Sequence, residues 1–358
     1  MHAFHTPLQG GHDPGFELVS GRRVPAYEVP ARAAVITAAL AAEPGITLEE
    51  PGQTGLEPIL RVHDPGLVRY LETAWDEWTR AGLPADGIVP DTFLHPGFGP
   101  HAARAGGAPE PRAPDGRVGR WCFDSATVLV KGSWPAARAA ADVALAAAGA
   151  VLDGDPLAYG LCRPPGHHAG REMFGGYCLL NNAAIAARWL VDRGAGRVGI
   201  LDLDYHHGNG TQEIFWERGD AAYASIHADP DRSYPYFSGR ADETGDGPGA
   251  GATFNQPMPA GLDGAGFRAA LDRALDWLGD RHDGILVVSL GLDTYRLDPL
   301  GDFALDTGDY RAAGARVAAG GGRLVVLQEG GYCLPDLGTN VVAWLRGARS
   351  HAADEPTG

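Results

Sequence analysis

At 358 residues and 44% hydrophobic content the chain can bury a substantial core, which excludes global disorder. Acidic residues outnumber basic ones 45 to 29, a formal charge of −16, so nucleic acid is excluded as a partner by repulsion from its phosphates. Cys122, Cys162, Cys178 and Cys333 form no CxxC pair and read as reduced core residues. The opening MHAFHTPLQGG has neither a basic nor an apolar leader segment, and no charge-free apolar run reaches the roughly 20 residues that span a bilayer. The expectation is a cytoplasmic protein with no membrane contact.

In chain order, helical periodicity covers Arg32–Ala42 and Gly66–Ala81. A stretch rich in Pro, Gly, Ala and Arg follows at Ile88–Arg120, and then an Ala-rich helix at Ser133–Leu152, broken by Arg138 and Asp142. Thereafter short apolar runs alternate with helical patterns: strands at Ala158–Cys162, Val198–Leu203, Ala222–Ile226, Gly284–Leu290 and Arg323–Leu327, helices at Asn181–Arg193, Gly264–Gly279, Thr307–Ala319 and Leu337–Gly347. Near-continuous apolar strands interleaved with helices predict an α/β fold with a predominantly parallel sheet sandwiched by helices. The pattern is continuous across 88–120, so the reading is one domain over 1–358 with a long insertion there. The run Gly245-Asp-Gly-Pro-Gly-Ala-Gly251 lacks GxGxxG spacing and reads as a structural loop.

Function in open parallel sheets collects beyond the carboxyl ends of the strands. The residues there are Arg163-Pro-Pro-Gly-His167-His168, Asp202-Leu-Asp204-Tyr-His206-His207-Gly-Asn209, Gly291-Leu-Asp293 and Glu329-Gly-Gly-Tyr332. Asp204 and His206, two apart in extended backbone, point to one side. With Asp293 they offer one nitrogen and two oxygens and leave coordination positions open, as catalytic metal sites do. Alone, Asp-x-His could be a hydrogen-bonded loop pair; a third acid at another strand end argues against that. His167 and His168 could form a second metal site or a proton-transfer pair. Asp202 and Asn209 can orient the two imidazoles, and an Asp raises basicity more than an Asn. A lone Tyr in a Gly turn is ordinarily a packing anchor, but Tyr332 at this rim can face a developing oxyanion.

The series RPPGHHAG, DLDYHHGNGTQEIF, LGLD and EGGY resembles the histone deacetylase superfamily, with its arginase–deacetylase fold, and within it the bacterial acetylpolyamine amidohydrolases. The resemblance implies one Zn²⁺-type ion at Asp204, His206 and Asp293 (Fe²⁺, Co²⁺ or Mn²⁺ being alternatives), His168 as general base with His167 as its partner, and Tyr332 polarising the acetyl carbonyl. It also implies a structural K⁺ at Asp202, Ser225, Ile226 and the backbone oxygens of Asp204 and His206. Tyr177 and Tyr234 match the aromatic walls of an acyl-amine tunnel, with Gly176 allowing close passage. By the same resemblance the 88–120 insertion lies over the active site and across a homodimer interface. Asp115 is the best match for an acid reading a distal ammonium, and Leu300 stands where a polyamine-selective relative carries an acidic gatekeeper. The expected substrate is a small cationic acetylated amine; the alternative is acetyl-lysine in proteins or peptides. A two-metal ureohydrolase is excluded by Gly208 and Tyr295, which stand where it needs further acids. A catalytically dead binding protein is disfavoured by the intact His167, His168 and Tyr332.

Overall fold

Runs such as Ile285–Leu290 and Ala221–Ala228 are buried along their whole length, and both are interior strands of an eight-stranded parallel sheet. The computed structural model describes residues 1–98 and 110–352; the 99–109 part of the insertion lies outside the described residues. The strands are β1 (His2–Phe4), β2 (Glu17–Val19), β3 (Arg22–Val24), β4 (Thr47–Glu49), β5 (Leu157–Gly160), β6 (Val198–Asp202), β7 (Ala221–Ala228), β8 (Thr253–Met258), β9 (Ile285–Leu290) and β10 (Arg323–Gln328). The sheet runs β4-β1-β5-β10-β9-β6-β7-β8, and β2 and β3 form a separate antiparallel hairpin.

Alternate strand residues feed two apolar layers. Ala158, Val287, Val325 and Leu327 face one layer, with helices Pro65–Arg80, Ser133–Leu152 and Asn182–Asp192. Tyr159, Leu286, Val288 and Val326 face the other, with helices Pro30–Ala42, Gly264–Leu278, Thr307–Ala319 and Leu334–Ala352. The predicted helices and the five predicted strands are all present, with ends shifted by a few residues. The strands β1 and β4, three residues each, carry too little pattern to be read in sequence, and β8 (TFNQPM) is a polar edge strand that tolerates Pro257.

Helix Ser133–Leu152 is long and apolar enough to cross a membrane, yet its apolar residues are packed inside the core. Its alanines let it approach the sheet closely. At Gly160 a Cβ would come 2.8 Å from Leu327 and 3.2 Å from Val143, so the glycine keeps that gap closed. Ala144, wholly buried on this helix, has no room for three more carbons. Ala144→Leu is expected to destabilise the fold by about 1–3 kcal/mol, read as a lower urea midpoint; an unchanged midpoint would contradict this packing.

Candidate active site

The four motif-bearing segments leave β5, β10, β9 and β6, which are consecutive in the centre of the sheet and share one direction. Their carboxyl ends therefore converge on one patch of the rim. Asp204, His206 and Asp293 offer ligand atoms that all lie within 4.8 Å of one another. His206 Nδ1 lies 3.0 Å from Asp293 Oδ2 and 3.3 Å from Asp204 Oδ1. Backbone amides hold the acids from behind: Gly330 N donates to Asp204 Oδ2 at 2.8 Å, and Tyr205 N donates to Asp293 Oδ1 at 2.9 Å.

Two buried carboxylates this close repel each other. Burial and the charge of Asp204 push the Asp293 carboxyl up to about 7. Burial lowers the His206 pKa, but its bonds to both acids outweigh that and lift it to about 9. A divalent cation would offset the carboxylate charge and displace the imidazole proton, so binding there would be pH-dependent. The mixed nitrogen and oxygen donor set with open positions suits a Zn²⁺-type ion. A second convergence, of His167, Cys178 and Glu329, is already used internally. Glu329 Oε2 accepts from Gly166 N and His167 N, its Oε1 accepts from Ser289, and burial keeps the Cys178 thiol protonated.

The two histidines sit with ring centroids 4.0 Å apart but in opposite environments. His167 Nδ1 is 3.1 Å from Asp202 Oδ2 and His168 Nδ1 is 2.7 Å from Asn209 Oδ1. Burial lowers both. For His167 the charges of Asp204 and Asp202 reverse this and raise it well above the usual range, whereas His168 is driven well below by burial together with His167 and His206. The two rings are thus pushed in opposite directions, the separation expected of an acid–base pair.

Tyr332 faces the same space. Burial raises its pKa well above 10 against the opposing charge of Arg32, so the hydroxyl keeps a proton to donate. The Arg32 guanidinium lies 4.6 Å below the phenol ring and donates to the Gly331 and Glu329 carbonyls, each at 2.6 Å.

A cavity of about 1080 Å³ opens from these groups to the surface. His167, His168, Asp204, His206 and Tyr332 line its floor, and Tyr177 and Tyr234 line its sides. The Tyr234 ring meets His168 edge-on at 5.0 Å, and Tyr177 meets Tyr332 at 5.8 Å. At Gly176, with φ of +57°, a Cβ would collide with the His168 ring, so the position needs glycine both for its backbone and for its space.

The Histone deacetylase domain model matches residues 26–348. The chain belongs to the histone deacetylase family. It is 43% identical over 334 residues to the acetylpolyamine amidohydrolase of Mycoplana ramosa, covering 92% of this chain and 94% of that protein. It is 44% identical over 331 residues to acetylpolyamine amidohydrolase 1 of Pseudomonas aeruginosa, covering 92% and 94%. A solved structure of acetylpolyamine aminohydrolase from Burkholderia pseudomallei superposes with a TM-score of 0.91 at 40% identity, covering 98% of this chain and 99% of that one.

Of the residues singled out in sequence, His167, His168, Gly176, Tyr177, Asp204, His206, Tyr234 and Tyr332 line this one cavity, and Asp293 adjoins it through Asp204 and His206. Leu300 lines the cavity, but Asp115 does not: it is exposed on the first turn of helix Pro114–Trp121, outside its own chain's cavity. Of the basic residues nearby, Arg117 pairs with Glu77 and Glu110, and Arg120 pairs with Glu172 at 2.8 Å. The cavity's own acids, Glu17, Asp124 and Asp302, escaped sequence reading because each is a lone acid in a loop or hairpin, without a strand-end motif. Glu17 Oε1 accepts from the Tyr177 hydroxyl at 3.1 Å, and Asp124 Oδ2 accepts from the Tyr234 hydroxyl at 2.9 Å and from Gly176 N at 2.6 Å. Carboxylates thus fix both aromatic walls.

Gly330 closes the site from one side, because a Cβ there would lie 2.5 Å from Asp293 Oδ2 and 2.7 Å from Asp204 Oδ2. Gly330→Ala is expected to force the two carboxylates apart. Zinc retained after dialysis should fall at least tenfold with the thermal midpoint little changed; full zinc retention would contradict this.

Proposed function

We propose that this protein hydrolyses the acetyl amide of N-acetylated polyamines and diamines, releasing acetate and the free amine. The observation that carries the reading is the pairing of a mixed carboxylate–imidazole cluster with a split histidine pair at the floor of a Tyr-walled, acid-bearing cavity. Names given to relatives at 42–44% identity support the same substrate class. Leu300 supplies no charge at the rim, so recognition of a cationic chain falls to the cavity's own carboxylates, Glu17, Asp124 and Asp302. The whole of residues 1–358 acts as one catalytic domain.

When bound at Asp204, His206 and Asp293, a Zn²⁺-type ion (or Fe²⁺, Co²⁺ or Mn²⁺) would polarise the acetyl carbonyl and acidify the attacking water. His168, held neutral, takes the water's proton. Its Nδ1 bond to Asn209 directs the other nitrogen toward the cavity. His167, placed between Asp202 and Asp204, partners His168 in moving that proton. Tyr332 donates to the carbonyl oxygen as negative charge grows on it. The imidazolium formed on His168 then protonates the departing amine, which must leave as a good leaving group.

A K⁺ held by Asp202, Ser225, Ile226 and the Asp204 and His206 carbonyls would stiffen the loop that carries the ligands; Asp202 and Ser225 are register partners on adjacent strands. A homodimer through the 88–120 insertion is supported by its exposed Phe93, Leu94 and Phe98. Asp115, exposed on the first turn of helix Pro114–Trp121, would add to the cavity's own carboxylates as a reader of the distal ammonium only across such a dimer. A cytoplasmic location is supported by four unpaired cysteines, three of them buried.

Two measurements test this. Acetylputrescine, acetylcadaverine and acetylspermidine are expected to give kcat/KM at least tenfold above an acetyl-lysine peptide; a large preference for the peptide would overturn the substrate assignment in favour of protein deacetylation. The base must be unprotonated, and His168 is depressed below its ordinary 6.5, so the acid limb of kcat/KM should lie below pH 6.5. Asn209→Asp puts a carboxylate against the ring and favours the imidazolium, so the limb should move up by roughly one to three pH units. An unmoved limb would remove His168 from the base role.

A further inference from the structure

Tyr332 follows two glycines, Gly330 and Gly331, the second with φ of +118°. Nothing in that backbone fixes where the phenol points, so its position must come from bonds made to the turn. Arg32 holds the carbonyls of Glu329 and Gly331. The amides are held by a single side chain from another segment. Asp298 Oδ2 accepts from Tyr332 N at 2.6 Å and from Cys333 N at 3.1 Å, while its Oδ1 accepts from Leu300 N at 3.0 Å. Asp298 is itself 6% exposed and anchored through its own amide to Tyr295 O at 2.8 Å. One carboxylate thus ties the Tyr332 turn to the loop that places Leu300 and Asp302 in the cavity wall.

We infer that Asp298 is a positioning residue for Tyr332, setting the phenol against the acyl carbonyl and coupling that placement to the cavity wall at Leu300. The inference rests on the reading of Tyr332 as the carbonyl's hydrogen-bond donor. Asparagine is isosteric but has one acceptor oxygen where aspartate has two, and it presents an NH₂ group to backbone donors. Asp298→Asn must therefore give up the Leu300 side or the Tyr332 side, and losing either breaks the link between cavity wall and turn on which the placement of the phenol is inferred to depend.

The test is a double-mutant cycle with Tyr332→Phe, reading kcat and KM on an acetylated diamine together with zinc content and thermal midpoint. Tyr332→Phe alone is expected to lower kcat by about 10²–10³, as for loss of one oxyanion donor. Asp298→Asn alone is expected to lower kcat by about 10–100-fold through misplacement of the phenol, with KM within about threefold and zinc content unchanged. On the Tyr332→Phe background the same change should cost less than about threefold, because the group it positions is gone. An equal loss in both backgrounds, or no loss in the single variant, would overturn the inference. Tyr332→Phe within threefold of the parent would instead overturn the reading of Tyr332 itself, and the two failures are distinct. Should Asp298→Asn not fold, Asp298→Glu keeps both acceptors on a longer stem and carries the same cycle with the same criteria.

Discussion

Burying Asp204 and Asp293 beside each other is costly, since like charges in a low-dielectric interior repel strongly. Much of the surrounding structure can be understood as support for that pair. Backbone amides from Gly330 and Tyr205 take one oxygen of each, and glycines at 291 and 330 leave space that any side chain would fill. His206 sits between the two acids, and the remaining attraction is for a cation.

The support extends outward in layers of buried charge. Glu28 bridges the Arg32 and Arg163 guanidiniums at 2.8 Å each, and these arginines tie the Glu329–Gly331 turn and the N-terminal loop to the sheet rim. Glu329 in turn receives the amides of Gly166 and His167 and so sets the start of the histidine pair. Removing Glu28 would strand two buried guanidiniums beside the loops they hold.

The central sheet and the convergent site were legible because their signal is local. Fully apolar runs such as Val198–Leu203 and Gly284–Leu290 announce buried parallel strands, and the polar residues that follow them must lie at one edge. Edge strands of three residues and the polar β8 have no such pattern. Arg32, Glu28, Asp124 and Asp298 were beyond reach for a different reason. Arg32, Asp124 and Asp298 reach backbone groups far away in sequence, which leave no trace in side-chain identity, and Glu28 meets Arg163 across 135 residues. Asp115 illustrates the converse: an acidic residue in a loop can be placed by resemblance, but only coordinates show which side of a helix it takes.

The central claim, that Asp204, His206 and Asp293 share one ion, is most directly tested by anomalous diffraction from zinc-loaded crystals at the zinc absorption edge. The account predicts a single strong peak per chain at about 2.0–2.2 Å from His206 Nδ1 and from one oxygen of each aspartate. A peak at another site, or none with the three side chains still bonded to one another, would contradict it.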